Sequence, residues 1–163
     1  MMDAKTDPHA PRMARMEHWL IRCDSCGTID HTHRISDLGS YGRNLGRTCF
    51  GELAEFSAWE DPAYNELLGI VRTFAIEGTP KLRKCFQKVM SLVADPAPSG
   101  EHYTLMGQLC CRQCGSSAHW YKPGEPDVED IPLPLVTHHE WERLSPEEKS
   151  QMVKAALQSY GCI

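Results

Sequence analysis

The chain has 163 residues, of which 41% are hydrophobic and 24% charged, a balance typical of one soluble globular domain. Its formal net charge of −5 argues against a nucleic-acid-binding body, and its hydrophobic pattern predicts no membrane span. Eight cysteines are too few for a small disulfide scaffold, in which cysteine exceeds roughly 8–10% of a short chain. The cysteines therefore require a specific explanation.

The beginning of the chain is polar and predicts no regular structure. Residues 1–15 contain Pro8 and Pro11, so we expect a disordered lead-in before a single domain over residues 16–163. These residues lack the apolar run of a signal peptide, which favours a cytoplasmic location. In a reducing compartment, paired cysteines bind metal more often than they form disulfides.

The first predicted element is a β-rich arm over residues 18–35. Apolar and β-branched residues stand on both sides of the run Cys23-Asp-Ser-Cys26-Gly, which predicts two strands joined by a turn. Residues 39–51 follow as a predicted loop, because four glycines in thirteen residues leave no periodic pattern.

Two helices are predicted within residues 61–95. Asp61-Pro62 and Thr79-Pro80 each place a capping residue before a proline, which suits the first position of a helix. Apolar residues recur at helical spacing after both signals, so we expect a helical hairpin. Cys85 lies in the apolar stripe of the second helix, and the sequence therefore assigns it to the core.

The remaining elements repeat the first arm and then return to helix. A second β-rich arm over residues 103–121 contains Cys111-Arg-Gln-Cys114-Gly. Residues 123–134 hold four prolines and four acidic residues, which predict an extended acidic loop. Capping signals then predict helices within residues 138–160.

The two cysteine pairs, Cys23 with Cys26 and Cys111 with Cys114, are the residues most suited to chemistry. Two intervening residues allow a tight turn to direct both thiolates at one ion, and the glycine that follows lets the backbone reverse. Zinc prefers four ligands in a tetrahedron, so two such turns complete one site. The sequence predicts a shared structural zinc.

The paired turns resemble the knuckles of a zinc ribbon. The resemblance covers about a fifth of the chain and implies a small antiparallel sheet. The spacing departs from that pattern, because 84 residues separate Cys26 from Cys111 where about 15–20 are usual. A helical insertion between the arms accounts for the length. The expected fold is α+β, a ribbon-like sheet with an inserted helical hairpin and C-terminal helices.

Other side chains compete for the metal. Cys110 adjoins Cys111 and is a rival ligand for the same position. Four further residues near the pairs offer ligands for two separate sites: His31, His33, Cys49 and His119. Cys49 and Cys162 lack a partner at ligand spacing, so the sequence also allows both to be ordinary thiols.

Three classes of function fit these features, and the preferred one is a non-enzymatic protein-interaction module. Residues 101–163 carry 5 basic and 9 acidic side chains, which favours a partner with a basic surface. Such a module would be an adaptor or an inhibitory partner such as an immunity protein. The side chains expected to contact the partner are those of Glu125, Asp127, Glu129 and Asp130.

A nucleic-acid-associated regulator is the first alternative, because ribbons often serve in that role. Arg43 and Arg47 would contact phosphate, and Trp120 and Tyr121 would stack on bases. A metalloenzyme of unfamiliar type is the second alternative. A closed four-thiolate site leaves no position for a reacting water, and the chain lacks an H-E-x-x-H motif.

Overall fold

A computed structural model describes the chain over residues 10–35, 43–57, 61–74, 76, 78–105, 109–121 and 124–163. Within these residues the strands are β1 (Arg12–Cys23), β2 (Ile29–Ile35), β3 (Arg43–Arg47), β4 (Leu53–Ser57), β5 (Ala118–Tyr121) and β6 (Val128–Leu133). The helices are α1 (Pro62–Thr73), α2 (Thr79–Val89), α3 (His139–Arg143) and α4 (Pro146–Ser159), with a 3-10 turn over Met90–Val93. The α+β class is confirmed.

Strand β1 is the centre of the larger sheet. It pairs antiparallel with β2 over residues 16–22. Strand β2 therefore occupies one edge of β1. The other edge of β1 is shared by two strands, β6 along residues 12–17 and β5 along residues 20–23. Three distant parts of the chain thus meet on one strand.

Strands β3 and β4 form a separate antiparallel hairpin. The hairpin is tied to the rest of the chain by an antiparallel bridge between Arg47 and Thr104 and a parallel bridge between Glu55 and Leu135. The Glu55 amide donates to the Pro134 carbonyl over 2.8 Å. These bonds connect the larger sheet to the helices.

The main apolar core lies between the helices and β4. Its buried members include Phe56 of β4, Leu67 and Val71 of α1, Val89 of α2, Trp141 of α3, and Val153 and Leu157 of α4. These positions recur every three or four residues along each helix, as expected of helices that bury one face. No helix among the described residues is long and apolar enough to cross a membrane.

The predicted capping residues of α1 and α4 are confirmed, whereas Thr79 is the first residue of α2, whose N-cap is Gly78 and makes no side-chain capping bond. The Asp61 carboxylate accepts from the Ala63 amide over 2.9 Å, and Ser145 with Glu148 forms a complete capping box for α4. Helix α3 differs, because its N-cap His138 makes no side-chain capping bond. Its amides are capped instead by Asp95, which lies after the 3-10 turn.

Three predicted irregular segments contain strands. Strand β1 begins at Arg12, inside the expected lead-in, whereas residues 1–9 lie outside the described residues. Strand β3 lies inside the expected glycine-rich loop, because Gly46 leaves room for the ring of Phe56 across the hairpin. Strand β6 lies inside the expected acidic loop.

The prolines of β6 explain that last difference. Pro132 lies opposite Met13 of β1, and β1 is the strand partner of β6 in the described part of the chain. An edge strand tolerates proline, because its outer edge needs no amide donor. The composition excluded a central strand and allowed this edge strand.

Candidate metal centre

The two cysteine turns have the same backbone shape. Gly27 and Gly115 have φ angles of +71° and +72°, a conformation that favours glycine. The Gly27 amide donates to the Cys23 carbonyl over 3.2 Å, and the Gly115 amide donates to the Cys111 carbonyl over 2.8 Å. Each turn therefore presents its two thiols in the same way.

Strand pairing brings the turns together. Cys23 lies opposite Ala118 in the register of β1 with β5. Beyond the strand end, the Asp24 amide donates to the Ser117 carbonyl over 2.9 Å, and the Cys111 amide donates to the Ser116 carbonyl over 2.8 Å. The second turn thus lies directly beside the first.

The four sulfur atoms form a compact cluster. The Sγ atoms of Cys23 and Cys114 are 3.5 Å apart, and Cys26 Sγ lies 3.7 Å from the Sγ atoms of both Cys111 and Cys114. All four lie within 4.8 Å of one another. A tetrahedral ion bound at about 2.3 Å places its sulfur ligands about 3.8 Å apart, so the cluster fits one metal ion.

The two thiols of each turn differ in their exposure to solvent. Cys23 and Cys111 are buried, each 3% exposed, whereas Cys26 and Cys114 are exposed. One thiol of each pair is thus anchored in the protein and the other faces outward. A metal ion here would lie at the end of the sheet, close to the surface.

The thiols have different affinities for protons. The Cys26 amide favours the Cys23 thiolate, but burial and the neighbouring Cys114 and Cys26 thiols outweigh it, and the pKa of Cys23 is raised to about 11. Contacts with Thr28 lower the pKa of Cys26 to about 6. Contacts with Ser116 lower the pKa of Cys114. Cys26 and Cys114 therefore form thiolates more readily than Cys23 does.

Polar contacts between the turns support this arrangement, and no local sequence pattern marks them. Thr28 Oγ1 donates to Gln113 Oε1 over 2.8 Å. His119 Nδ1 lies 2.6 Å from Asp24 Oδ1, and Arg112 Nε lies 3.3 Å from Asp30 Oδ2. All three join residues more than 80 positions apart, so only the strand register reveals them.

The rival cysteine ligands form a disulfide instead. Cys110 is bonded to Cys49, with their Cα atoms 5.1 Å apart, so neither thiol is available for the metal. The alternative in which Cys110 or Cys49 binds the metal is therefore wrong, and so is the interpretation of Cys49 as an ordinary thiol. Adjacent residues on an extended chain point to opposite sides, which directs Cys110 away from the site that Cys111 enters.

The rival histidines also lie elsewhere. His119 contacts Asp24, His31 contacts His18, and His33 contacts Glu129. In the described residues, the compact metal-ligating group consists of the four predicted cysteines. The metal-ligand prediction is confirmed to the extent that these four thiols are close enough to hold an ion.

A second disulfide corrects two further assignments. Cys85 is buried in the core as predicted, but it is bonded to Cys162, with their Cα atoms 5.9 Å apart. The interpretation of Cys162 as an ordinary thiol is wrong. Since disulfides are rare in a reducing cytoplasm, cysteine usage no longer supports a cytoplasmic location.

All the acidic residues that were predicted to contact a partner are exposed. They are Glu125, Asp127, Glu129 and Asp130. Two of them belong to the loop before β6 and two to β6 itself. Glu129 Oε1 lies 2.7 Å from His33 Nε2. The Asp127 carbonyl accepts from the His18 amide over 2.8 Å, which holds the loop beside β1.

The arginines predicted to contact nucleic acid are engaged within the protein. Arg43 donates from Nε and Nη2 to the buried Glu55 carboxylate over 2.7 and 2.6 Å. Arg47 donates to the His33 carbonyl over 2.5 Å and lies over the ring of Trp120. Trp120 and Tyr121 are 41% and 38% exposed, so only the aromatic half of that prediction lies on the surface.

Comparison of the chain with protein-family models, curated proteins and solved structures finds no match. The cysteine cluster is therefore interpreted from its own geometry. Four sulfur ligands around one tetrahedral ion leave no coordination position for water or substrate. Such a centre stabilises a fold and does not activate a reactant.

Proposed function

We propose that this protein is a non-enzymatic, zinc-stabilised protein-interaction module. The observation that carries the proposal is the position of its acidic residues. An exposed acidic segment, defined as Glu125, Asp127, Glu129 and Asp130, occupies an edge of the sheet that the cysteine cluster fastens at its far end. A basic partner surface would bind this segment.

Zinc is the ion that best suits the cluster. Four thiolates in a tetrahedron are the usual donor set of structural zinc, and the sulfur separations of 3.5 and 3.7 Å suit its bond length. Structural zinc binds finger peptides with about 10–16 kcal/mol, enough to join segments that are far apart in the chain. The proposed role of the metal is to hold the sheet, and with it the acidic segment, in place.

The edge strand offers two means of recognition. Charge complementarity would steer a basic partner towards the acidic segment and set the rate of association. In the described residues β6 has one strand partner, so its outer edge also offers backbone groups to an added strand. An adaptor or an inhibitory partner of the immunity type would use such a surface.

Affinity capture with a matched pair of charge variants tests the proposal. The test variant combines Glu125→Gln, Asp127→Asn and Asp130→Asn, and leaves Glu129 intact because that residue contacts His33. The control variant combines Glu140→Gln, Glu142→Gln and Glu147→Gln, which removes the same charge from exposed positions of α3 and α4. We expect the test variant to lose its bound partner and the control to retain it.

Two further measurements complete the experiment, capture at increasing salt concentration and capture after nuclease treatment. Partner binding should weaken as ionic strength rises, because exposed charges are screened within about 10 Å at 0.1 M salt. Equal losses from the two variants would contradict the role of the acidic segment. Capture that disappears on nuclease treatment would favour the nucleic-acid alternative and overturn the proposal.

A further inference from the structure

A cavity of about 410 Å³ lies between α1 and α2. Tyr64, Leu68 and Arg72 line it at intervals of four residues, which places them on one face of α1. Leu82 and Phe86, also four residues apart, line it from α2. Cavities that bind small molecules are usually about 300–1,000 Å³ in volume and mainly apolar, with a few polar groups that orient the ligand. This cavity therefore has the size and the lining of a ligand site.

One end of the cavity is basic. Arg72, the next-to-last residue of α1, and Arg83, in the second turn of α2, both line the cavity near the loop that joins the two helices. Both side chains are exposed, and neither is paired with a carboxylate in the part of the chain that the structure describes. Two positive charges are thus available to a ligand at this end.

The start of α2 adds to this positive charge. Thr79, the first residue of α2, also lines the cavity, and the N-cap Gly78 makes no side-chain capping bond. The first turn of α2 contains no acidic residue. Since the first amides of a helix carry partial positive charge, an anion is favoured beside them.

The α1 wall of the cavity also contains a hydroxyl without a partner. Tyr64 is 1% exposed, and its hydroxyl makes no hydrogen bond to the described residues. Burial, with the nearby charge of Asp61, raises the pKa of Tyr64, so the hydroxyl keeps its proton and can donate. Buried polar groups are normally hydrogen-bonded, and a ligand in the cavity would supply the missing acceptor. Tyr64 and Arg72 are separated by about 12 Å of helix, so this acceptor and the anionic group belong to opposite ends of the ligand.

We propose that this cavity binds a small, elongated organic acid, with a carboxylate at one end and a hydroxyl at the other. The carboxylate would accept from Arg72 and Arg83, because a guanidinium presents parallel N–H donors that match a carboxylate. The ligand hydroxyl would accept from Tyr64. An aliphatic chain between the two groups would lie against Leu82 and Phe86.

Calorimetry of the intact protein with three matched ligands tests the proposal. The complete ligand is ω-hydroxydecanoate, decanoate lacks its hydroxyl, and the α,ω-decanediol lacks its charge. We expect one equivalent of ω-hydroxydecanoate to bind, about 10–100-fold more tightly than the diol and about 2–10-fold more tightly than decanoate. The first ratio is larger because a hydrogen bond to a charged group contributes more than one between neutral groups.

Two variants remove the protein side of each contact. Arg72→Gln combined with Arg83→Gln should abolish the preference for ω-hydroxydecanoate over the diol. Tyr64→Phe, which keeps the buried ring, should abolish the preference over decanoate. The control combines Arg143→Gln with Lys154→Gln, which removes the same charge from exposed positions of α3 and α4 and should keep both preferences.

Circular dichroism and zinc content report whether each variant is folded, and Arg83→Gln alone replaces the double variant if that variant does not fold. Absence of ω-hydroxydecanoate binding, or an unaltered protein that lacks either preference, would overturn the proposal. Preferences that persist in the arginine and tyrosine variants, or that disappear equally in the control, would also overturn it. None of these results depends on capture of a protein partner.

Discussion

The larger sheet and the helical layer are stabilised in different ways. In the described residues, one apolar cluster of 18 buried residues joins the helices to β4, whereas the cluster beneath the larger sheet contains Ala14, Met16 and Leu133. The cysteine turns at the end of that sheet are joined instead by polar contacts and by the sulfur cluster. A metal ion held by these thiols would therefore take the place of an apolar core where the chain offers few apolar side chains.

The comparison predicts that each region loses stability by its own route. Removal of the metal should affect β1, β2 and β5 first, because their pairing converges on the cysteines. Loss of apolar volume should affect the helices first. Each of the following changes separates the two regions or shows that they unfold together.

The largest effect is expected from loss of the metal. Cys111→Ser, or a strong chelator, should release zinc and remove hydrogen-exchange protection from β1, β2 and β5, while the helical circular dichroism persists. Finger peptides lose about 10–16 kcal/mol of binding free energy in this way. Cys110→Ser is the matched control and should keep its zinc, since Cys110 is bonded to Cys49. Zinc loss from the Cys110 variant alone would reverse the ligand assignment.

A cavity in the helical core should act on the other region. Leu67 is fully buried in α1, and Leu67→Ala should lower the free energy of unfolding by about 2–5 kcal/mol. Urea denaturation measures the loss, and metal analysis of the folded variant should still give one zinc. Leu68→Ala, at a partly buried neighbouring position of α1, should lower the free energy of unfolding less. Zinc loss from folded Leu67→Ala would show that the two regions are not independent.

The disulfide between α2 and the end of the chain should contribute next. Cys85→Ala combined with Cys162→Ala opens a loop of 77 positions, and we expect a loss of about 2–4 kcal/mol. Denaturation with and without a reductant checks this, because the reductant should destabilise the unaltered protein more than the double variant. If reductant affects both equally, its effect belongs to the Cys49–Cys110 bond.

The smallest effect concerns the carboxylate that caps α3. Asp95 accepts from the Thr137 hydroxyl and from the amides of His139 and Glu140. Burial alone would raise the pKa of Asp95, but these donors, first the Glu140 amide, outweigh it and lower that pKa from 3.8 to about 2. Ionised Asp95 therefore stabilises the fold above pH 3.8, and this contribution disappears as the pH falls towards 2.

Asp95→Asn should lower the free energy of unfolding at neutral pH by about 2 kcal/mol, because that is the stabilisation implied by a pKa lowered from 3.8 to about 2. Its stability should also change less than that of the unaltered protein between pH 4 and pH 2, as measured by urea denaturation at each pH. Glu142→Gln, at an exposed position of α3, is the control. An unchanged acid dependence in Asp95→Asn would contradict the role of this carboxylate.

The features that can be predicted from the sequence are those that depend on residues close together along the chain. The cysteine turns follow from two-residue spacing and a glycine, and the starts of α1 and α4 follow from local caps. The α+β class follows from these elements together. The four-cysteine cluster was predictable as well, because zinc needs two such turns and the chain contains two.

The remaining features depend on residues that meet only after folding. Strand β6 is a proline-rich acidic segment that becomes a strand because β1 lies beside it. The disulfides join cysteines 61 and 77 positions apart, and no local pattern marks such pairs. The cap of α3 comes from Asp95, more than 40 positions earlier. The pairing of His18 with His33 depends on the strand register, which the sequence alone does not fix.

The shared strand β1 also bears on synthesis of the chain. Its hairpin partner β2 emerges soon afterwards, but β5 and β6 follow about 100 residues later, a delay of roughly 5–20 s at ribosomal speed. During that interval one edge of β1 is without its final partners, beside the apolar run Trp19-Leu20-Ile21. The larger sheet can close only after residues 118–133 have left the ribosome, so the nascent hairpin is the segment where a chaperone would be of most use.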